Sequence, residues 1–434
     1  MKSLKKLFFL LILIGLIAGA VFYFRDTEGP LISLNPATGP VSAKTPVSLT
    51  FSDASTGLKA VQVTILQSGS RLPLVDQTIP APTKQINLAL NFGSLKLKDG
   101  PIQIEVLATD RSIYHLGKGN QSRQLFEISY DTRAPIISIL SKAHNLSKGG
   151  SGLVTYRLDE MVGKTGVQIG DLFFPSFLQE SGIYACLFAY PFDMKETDFV
   201  PRVYAEDLAG NERQSGFYYR ANDKKFRHRD INLSKSFIQQ KAPEFESMVP
   251  EIGEPLATFL YVNGEIRRQN RAKMAELSLK TATTPQWQGN FIRMQGAATL
   301  AQFGDHRSYY YEKNLVDKAV HLGFDLASIA QAEIPAGNAG EVIWADYLGI
   351  YGLCIVIDHG LGLQTLYAHM SQLDVQPGEM VVKGQLLGRS GATGMAGGDH
   401  LHFGVFVSGI AVQPLEWWDK SWLENNIDSK LQVN

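Results

Sequence analysis

The chain has 434 residues, with 41 basic residues, 42 acidic residues and a formal net charge of −1. This length predicts two to four domains, and a hydrophobic content of 44% lets each domain bury a core. The balanced charge gives no basic footprint, so no nucleic-acid partner is predicted. Only Cys186 and Cys354 are present, which excludes a four-cysteine zinc site. They fall in segments predicted as different domains, so we expect no disulfide between them.

Residues 1–24 are predicted to be a short cytoplasmic tip and a transmembrane anchor. After three lysines, Lys2, Lys5 and Lys6, residues 7–24 contain no charged side chain. As a helix this run is roughly 27 Å long, close to the thickness of a bilayer core. The lysines predict a cytoplasmic N-terminus and export of the rest of the chain. Ala18-Gly19-Ala20 leaves signal-peptide cleavage as the alternative, although the apolar run continues past it.

Residues 25–133 and 134–221 are predicted to be two immunoglobulin-like domains. The stretch Asp26–Ser33 (DTEGPLIS) returns as Asp131–Ser138 (DTRAPIIS), an offset of 105 residues. Short alternating runs separated by turn residues are typical of a β-sandwich of this size. A spacer is the favoured role for both domains, and a binding module for envelope protein partners is the alternative.

Residues 222–284 are predicted to be a helical connector. Strong helix formers fill the stretch 265–277, with Ile266, Met274 and Leu277 spaced for one apolar face. From residue 285 the pattern is β again, which predicts a compact, mostly antiparallel domain over 285–424 and a tail over 425–434. The fold is therefore predicted to be mainly β. The predicted strands of the last domain are Gly340–Trp344, Leu353–Asp358, Leu363–Ala368, Val381–Leu387 and His400–Val407.

Histidines cluster in this last domain. Six of the nine lie between residues 306 and 402, in motifs that include His321-x-x-x-Asp325, Tyr367-Ala368-His369 and His400-Leu401-His402. If residues 400–407 form a strand, His400 and His402 share a face and lie about 7 Å apart. Imidazole and carboxylate are the usual ligands of a hydrolytic zinc, so the sequence predicts a metalloenzyme.

Other site types fit less well. No His-Glu-x-x-His helix is present, which excludes a thermolysin-like enzyme. The glycine-rich stretch 391–398 lacks the Lys-Ser/Thr ending of a phosphate-binding loop. Cys354 lies in the apolar run 353–357 and is expected to be a core thiol, not a nucleophile. We expect His359 to have a structural role and Arg307 to pack or form an ion pair.

With these motifs, roughly residues 290–420 resemble the lysostaphin and LytM family of zinc endopeptidases, which cut peptides in bacterial cell walls. The flanking stretches 356–360 (VIDHG) and 390–394 (SGATG) also look like this family. The resemblance implies a zinc metalloendopeptidase with one zinc ion per chain and a fourth coordination position for water. By the resemblance, His321, Asp325 and His402 would bind the zinc. His369 and His400 would flank it, one of them as general base, and which one stays open.

On this interpretation the substrate is a peptide cross-link of peptidoglycan. The protein would be a single-pass bacterial inner-membrane protein, with the bulk of the chain in the periplasm or extracellular space. One alternative is a noncatalytic envelope regulator that binds and activates other wall hydrolases. Another is a wall-binding scaffold. The sandwiches and the connector are also candidates to cover the substrate groove, as pro-segments do in some relatives.

The chain departs from the family pattern at Cys354, where relatives often have asparagine, and before the first ligand histidine. Some relatives carry a tyrosine shortly before the first ligand histidine that helps to hold the oxyanion, and residues 313–320 contain none. Only Tyr309, Tyr310 or Tyr311 could replace it by folding back. Trp417, Trp418 and Trp422 are expected to seal the end of the domain, with a substrate groove as the alternative.

Overall fold

A computed structural model describes residues 2–250 and 254–432. Residues 1, 251–253 and 433–434, which belong to the predicted anchor, connector and tail, lie outside the described residues. The described chain is mainly β, as the sequence predicted. It divides into two compact units. The first contains residues up to 135 with 160–163 and 206–213, and the second contains 136–159, 164–205 and the residues from 214 onward.

Eight α-helices are assigned in the described residues. In chain order, α1 to α8 are Lys2–Tyr23, Tyr114–Gly117, Lys235–Lys241, Pro255–Tyr261, Arg267–Leu277, Pro414–Trp418, Lys420–Leu423 and Ser429–Leu431. Within α1, the stretch Leu4–Tyr23 is long and apolar enough to cross a membrane. A membrane anchor and a signal sequence both have these properties, so the anchor stays a prediction.

The first unit is built around a β-sandwich. Its strands β1 to β8 are Leu31–Asn35, Pro40–Val41, Val47–Ser52, Leu58–Gln67, Ser70–Thr83, Gln85–Leu90, Gly100–Asp110 and Gln121–Tyr130. One sheet has the order β1-β3-β6 and the other β2-β8-β7-β4-β5. Burial alternates along β3, where Val47, Leu49 and Phe51 are buried. This alternation directs every second side chain into one common core.

The second repeat of the sequence forms two four-stranded sheets and a two-stranded sheet. Strands β9 to β18 are Ile137–Ile139, Asn145–Ser147, Ser151–Leu158, Val162–Ile169, Leu172–Pro175, Phe177–Leu178, Tyr184–Ala189, Arg202–Asp207, Glu212–Gly216 and Arg220–Asn222. The four-stranded sheets have the orders β14-β15-β11-β9 and β13-β12-β16-β17, and β10 pairs with β18. The predicted domain boundaries themselves stay a prediction.

The connector is not purely helical, which corrects the prediction. It begins with a strand, β19 (His228–Asn232), before α3, α4 and α5. This strand pairs in parallel with a strand of the C-terminal region, so long-range pairing decides its conformation. Ile266, Met274 and Leu277 are buried on one helical face, as predicted. A π-helical turn, Val262–Ile266, separates α4 from α5.

The C-terminal region contains strands β20 to β31. They are Ala298–Ala301, His306–Tyr311, Asn314–Val320, Phe324–Ala327, Glu333–Pro335, Gly340–Tyr347, Leu353–Asp358, Leu363–Leu373, Met380–Val381, Leu386–Ser390, Leu401–Val407 and Ile410–Val412. The main sheet has the order β20-β23-β30-β27-β26-β25-β28.

Two strand predictions in this region need correction. The predicted strand Val381–Leu387 is two strands, β28 and β29, separated by a turn in which Gly384 has a φ of +85°. That conformation suits glycine and interrupts an extended strand. His400 precedes β30 and is joined to Gly391 by an isolated bridge.

Candidate metal centre

Three adjacent strands bring the predicted site residues together. Asp325 lies on β23, His402 on β30 and His369 on β27, and β30 is hydrogen-bonded between the other two. In the register, Asp325 is opposite His402, and His402 is also opposite Ala368. Directly opposed residues on antiparallel strands have Cα atoms about 4.5–5.5 Å apart. Side chains far apart in the sequence therefore meet in the middle of the sheet.

Three side chains present one atom each to a common point. His321 Nε2 lies 2.8 Å from Asp325 Oδ1 and 2.9 Å from His402 Nδ1. His402 Nδ1 lies 2.9 Å from Asp325 Oδ1. His400 is further out, with Nε2 3.6 Å from Asp325 Oδ1. The ring centroid of His369 lies 4.9 Å from that of His400 and 5.7 Å from that of His402.

Backbone carbonyls set the tautomers of three of these histidines. His321 Nδ1 lies 2.9 Å from Gln302 O, and His369 Nδ1 lies 2.9 Å from Thr393 O. His400 Nδ1 lies 2.8 Å from Gly398 O. A carbonyl can only accept, so Nδ1 of each ring carries a hydrogen. In the neutral ring, Nε2 then has a free lone pair directed away from that carbonyl.

A metal ion fits this arrangement. Neutral His321 Nε2 carries no hydrogen, yet it faces a carboxylate oxygen and a second imidazole nitrogen within 3 Å. A cation among these three atoms would turn a repulsive contact into ligation. His321, Asp325 and His402 are therefore the residues that would hold a metal ion, and two imidazoles with one carboxylate form a donor set that suits a hydrolytic zinc.

Arg307 holds the second oxygen of the carboxylate. Its Nη2 lies 3.0 Å from Asp325 Oδ2, which leaves Oδ1 for the two histidines. The sequence predicted an ion pair or a packing role for Arg307, and the ion pair is present. Its partner was not foreseen, because Arg307 reaches Asp325 only through the pairing of β21 with its neighbours.

Gly323 leaves room for His402. A Cβ atom at position 323 would lie 2.6 Å from both Cε1 and Nε2 of the His402 ring. Any larger residue would displace the imidazole, so the space beside His402 requires glycine at position 323. In the described part of the chain, His402 Nε2 is buried without a hydrogen-bond partner.

Burial and charge shift the pKa values at this centre. Burial disfavours ionisation of Asp325, but His321, His400 and His402 outweigh it and hold the pKa of this carboxyl well below its usual range. Burial, with His400 and His402 nearby, lowers the pKa of His369 well below its usual range. Burial lowers the pKa of His402 to about 4, although Asp325 opposes the shift. For His400, burial is outweighed by Asp325, and its pKa is raised.

Several other predicted residues are also placed. His359 is buried and has a structural environment, with Nδ1 2.6 Å from Ala339 O and Nε2 2.8 Å from Thr365 Oγ1. Trp417 is fully buried against Phe291 and Trp287, which favours sealing of the domain end over a groove. Cys354 is fully buried and burial raises the pKa of its thiol, as expected for a core residue.

Two tyrosines lie near the centre. Tyr309 lines a cavity of about 620 Å³ together with Asp325 and Arg307. Tyr351-Gly352 also looks like the family in sequence, but no role in the site was predicted for Tyr351, whose ring centroid lies 5.8 Å from that of His402. It belongs to a short turn, Gly349–Tyr351.

The connector packs beside the centre. Lys241 Nζ donates to Ala392 O, and Gly394 N donates to Glu244 Oε2 over 2.9 Å. These contacts fix the loop that carries Thr393, the partner of His369. The five residues of the centre are exposed by only 5–9%. Access therefore depends on the surrounding segments.

Comparison with known proteins places this centre in a family. The family model "Peptidase family M23" matches residues 319–414, which include all five residues of the centre. Stage II sporulation protein Q of Bacillus subtilis is 31% identical over 102 residues, which are 23% of this chain and 36% of that protein. The DD-carboxypeptidase/endopeptidase Mpg of Neisseria meningitidis is 33% identical over 96 residues, 22% of each chain.

A third relative is named for a different role. The murein hydrolase activator EnvC of Escherichia coli is 35% identical over 107 residues, 25% of this chain and 26% of that protein. The matches span only 22–36% of the lengths of these three proteins.

Proposed function

We propose, from the premise that the C-terminal region of this chain is a domain of peptidase family M23, that the protein is a zinc-dependent endopeptidase. The proposed substrates are peptide cross-links of bacterial peptidoglycan. The observation that carries the proposal is the meeting of His321 Nε2, Asp325 Oδ1 and His402 Nδ1 at mutual distances of 2.8–2.9 Å. The relative Mpg is named as a DD-carboxypeptidase/endopeptidase, which supports the proposed peptidase activity.

In this proposal His321, Asp325 and His402 hold one zinc ion per chain. Zinc bound there would supply a Lewis acid that activates water and polarises the scissile amide. Arg307 keeps the Asp325 carboxylate oriented by occupying Oδ2. The carbonyl of Gln302 orients the His321 ring in the same way, through Nδ1.

His369 and His400 move the protons. Each neutral ring keeps its hydrogen on Nδ1 and offers Nε2 as an acceptor, so either can take a proton from the attacking water. A ring that is protonated on Nε2 as well can donate that hydrogen towards the oxyanion that develops on the scissile carbonyl. Which of the two is the base stays open. The dry, enclosed setting strengthens both interactions.

The proposed location follows from the apolar helix α1. Anchored there, the chain would be a single-pass protein of the bacterial inner membrane with its bulk in the periplasm or extracellular space. The sandwiches would extend from the membrane and are candidates for contact with envelope protein partners.

The test uses cross-linked wall material and the full chain in detergent. Peptide release is expected with zinc and is expected to stop with a chelator or in the His402→Ala variant. Mass spectrometry of the released fragments identifies the bond that is cut. Release that persists at the wild-type rate in both conditions would refute zinc catalysis by this centre.

A noncatalytic regulator is the second candidate, and the low exposure of the centre and the relative EnvC favour it. It predicts wall binding and activation of another hydrolase without release of peptides by the protein alone. The contacts of Lys241 and Glu244 with the loop 392–394 also make the connector a candidate restraint on an active enzyme. If so, Glu244→Ala should increase peptide release by the full chain. An unchanged rate would argue against the restraint.

A further inference from the structure

One cavity beside the metal centre contains a cation without an anionic partner. This cavity, of about 620 Å³, is lined by Arg229, Arg267 and Arg307 as well as by Asp325. Arg307 is paired with Asp325, and Arg229 lies 3.9 Å from Asp305. Within the described residues, Arg267 forms no ion pair.

Arg267 is held in place by neutral groups. Its Nε donates to Asn263 O over 3.1 Å and its Nη2 to Asn263 Oδ1 over 2.7 Å. Asn263 is itself anchored, because its Nδ2 donates to Asp317 Oδ2 over 2.7 Å. Arg267 is the first residue of α5 and directly follows the π-helical turn Val262–Ile266. Such turns often occur at functional positions in helices.

The surroundings of Arg267 connect it to the metal centre. Burial lowers its pKa, while the neighbouring Tyr309 and Tyr351 oppose that shift. Tyr351 in turn lies against the ring of His402, and Tyr309 lines the same cavity as Asp325. A partly buried guanidinium without a counter-ion is unfavourable, and an anion that enters the cavity would offset that cost.

We propose that Arg267 binds a carboxylate of the peptide substrate in this cavity, a role that rests on the proposed peptidase function. A guanidinium fork matches a carboxylate in two parallel hydrogen bonds, and the Nη1 edge is free of the Asn263 contacts. The preferred substrates are then peptides with a free carboxylate near the scissile bond. Arg267 thereby supplies specificity from outside the region that the family model covers.

The experiment measures binding of two synthetic wall peptides that differ only at the C-terminus, one a free carboxylate and one an amide. The full chain in detergent is used with zinc removed, so that no turnover interferes. The wild-type protein is expected to bind the carboxylate form about tenfold or more tightly, the size of one charge-assisted interaction. Arg267→Gln should bind both forms equally.

Arg268→Gln is the matched control. Arg268 is the next residue on α5, is exposed and pairs with Glu265, and it does not line the cavity. This variant should keep the full preference. A wild-type protein that binds both peptides equally, or an R267Q variant that keeps the preference, overturns the proposal.

A second variant covers the case in which R267Q unfolds. Arg267→Lys keeps the charge and loses the fork, so its preference should fall severalfold, and a preference of wild-type size would overturn the assignment. Hydrolysis with zinc separates the two proposals. Cleavage without discrimination leaves the peptidase function intact and removes the role of Arg267. A preference for the carboxylate peptide in binding, without cleavage of either peptide, keeps carboxylate binding by Arg267 and removes the peptidase function.

Discussion

The centre around His321, Asp325 and His402 can be compared with a second cluster in the other compact unit, formed by Asp26, Asp53 and Asp110. In each cluster, one ligand-type atom per residue lies within 4.8 Å of the others. The first combines two imidazoles with one carboxylate, and Arg307 offsets the carboxylate charge. The second consists of carboxylates alone. The ligand-type atoms meet the same distance limit in both clusters, but they belong to different chemical groups.

Hydrogen bonds within the fold account for the acidic cluster. In the described residues, neutral groups donate hydrogen bonds to all three carboxylates. Thr56 Oγ1 donates to Asp26, Gly57 N to Asp53 and Asn120 Nδ2 to Asp110. In the second repeat, Asp207 accepts a hydrogen bond from Asn211 as Asp110 does from Asn120. These bonds tie loops together, so we assign no metal site there. In the first cluster, by contrast, contacts outside the cluster orient the ligand atoms: Gln302 O holds the His321 ring and Arg307 holds the Asp325 carboxylate.

The largest expected difference comes from removing one member of each cluster. His402→Ala should remove stoichiometric zinc and reduce peptide release by about a thousandfold or more, because the metal supplies several kcal/mol of stabilisation. Asp26→Asn should leave both quantities unchanged. Zinc content is measured by elemental analysis and activity by fragment release. His228→Ala, at an exposed histidine, is the control for a general loss of histidine. Equal effects of H402A and D26N would remove the distinction.

A smaller effect is expected at the residue that orients the ligand. Arg307→Gln should lower zinc affinity by about 10- to 100-fold, as changes around metal ligands commonly do. Metal binding in competition with a chromogenic chelator measures this. The histidine ligands remain, so zinc should still bind when it is in excess. Wild-type affinity in R307Q would show that Asp325 is oriented without the arginine.

Glu416 is a buried carboxylate outside both clusters, and its ionisation is expected to affect the stability of the fold. It accepts from Ser151, and burial raises its pKa to about 7, although Lys224 opposes the shift. A raised pKa means that its contribution to stability is complete below the unfolded-state value and is lost as the pH rises to about 7. Glu416→Gln keeps the acceptor and should stabilise the protein by roughly 1–2 kcal/mol at pH 8.

Thermal unfolding at pH 4 and pH 8 checks this expectation. The gain of E416Q should disappear at pH 4, where both folded and unfolded states are protonated. A gain of the same size at both pH values would mean that packing, not ionisation, is responsible.

The smallest effect is expected for the acidic cluster itself. Burial, together with Asp26 and Asp110, raises the pKa of Asp53, so its contribution to stability also decreases as the pH rises. Asp53→Asn keeps the acceptor for Gly57 N and should raise the melting temperature at pH 8 by less than E416Q does. Calorimetry over the same two pH values measures the difference. A lowered melting temperature at pH 8 would indicate that the charge is needed.

Local pattern was sufficient for much of the fold and for the choice of candidate residues. The apolar run at Leu353–Asp358 predicted that strand with correct ends, and helix formers with one apolar face predicted α5 closely. Pattern failed where long-range pairing decides conformation. The strand β19 lies in a polar stretch and exists because it pairs with β21. The turn at Gly384 interrupts an otherwise continuous β pattern because its φ is positive.

By itself, the sequence determined that imidazoles and a carboxylate stand at fixed places on predicted strands, because spacing along a strand fixes which side chains share a face. The tertiary structure decided how they meet. Only the pairing of β30 with both β23 and β27 brings Asp325, His402 and His369 together, and only the packing of the connector places Arg267 in the adjoining cavity. These contacts join residues that are tens of positions apart, and local periodicity carries no information about such pairs.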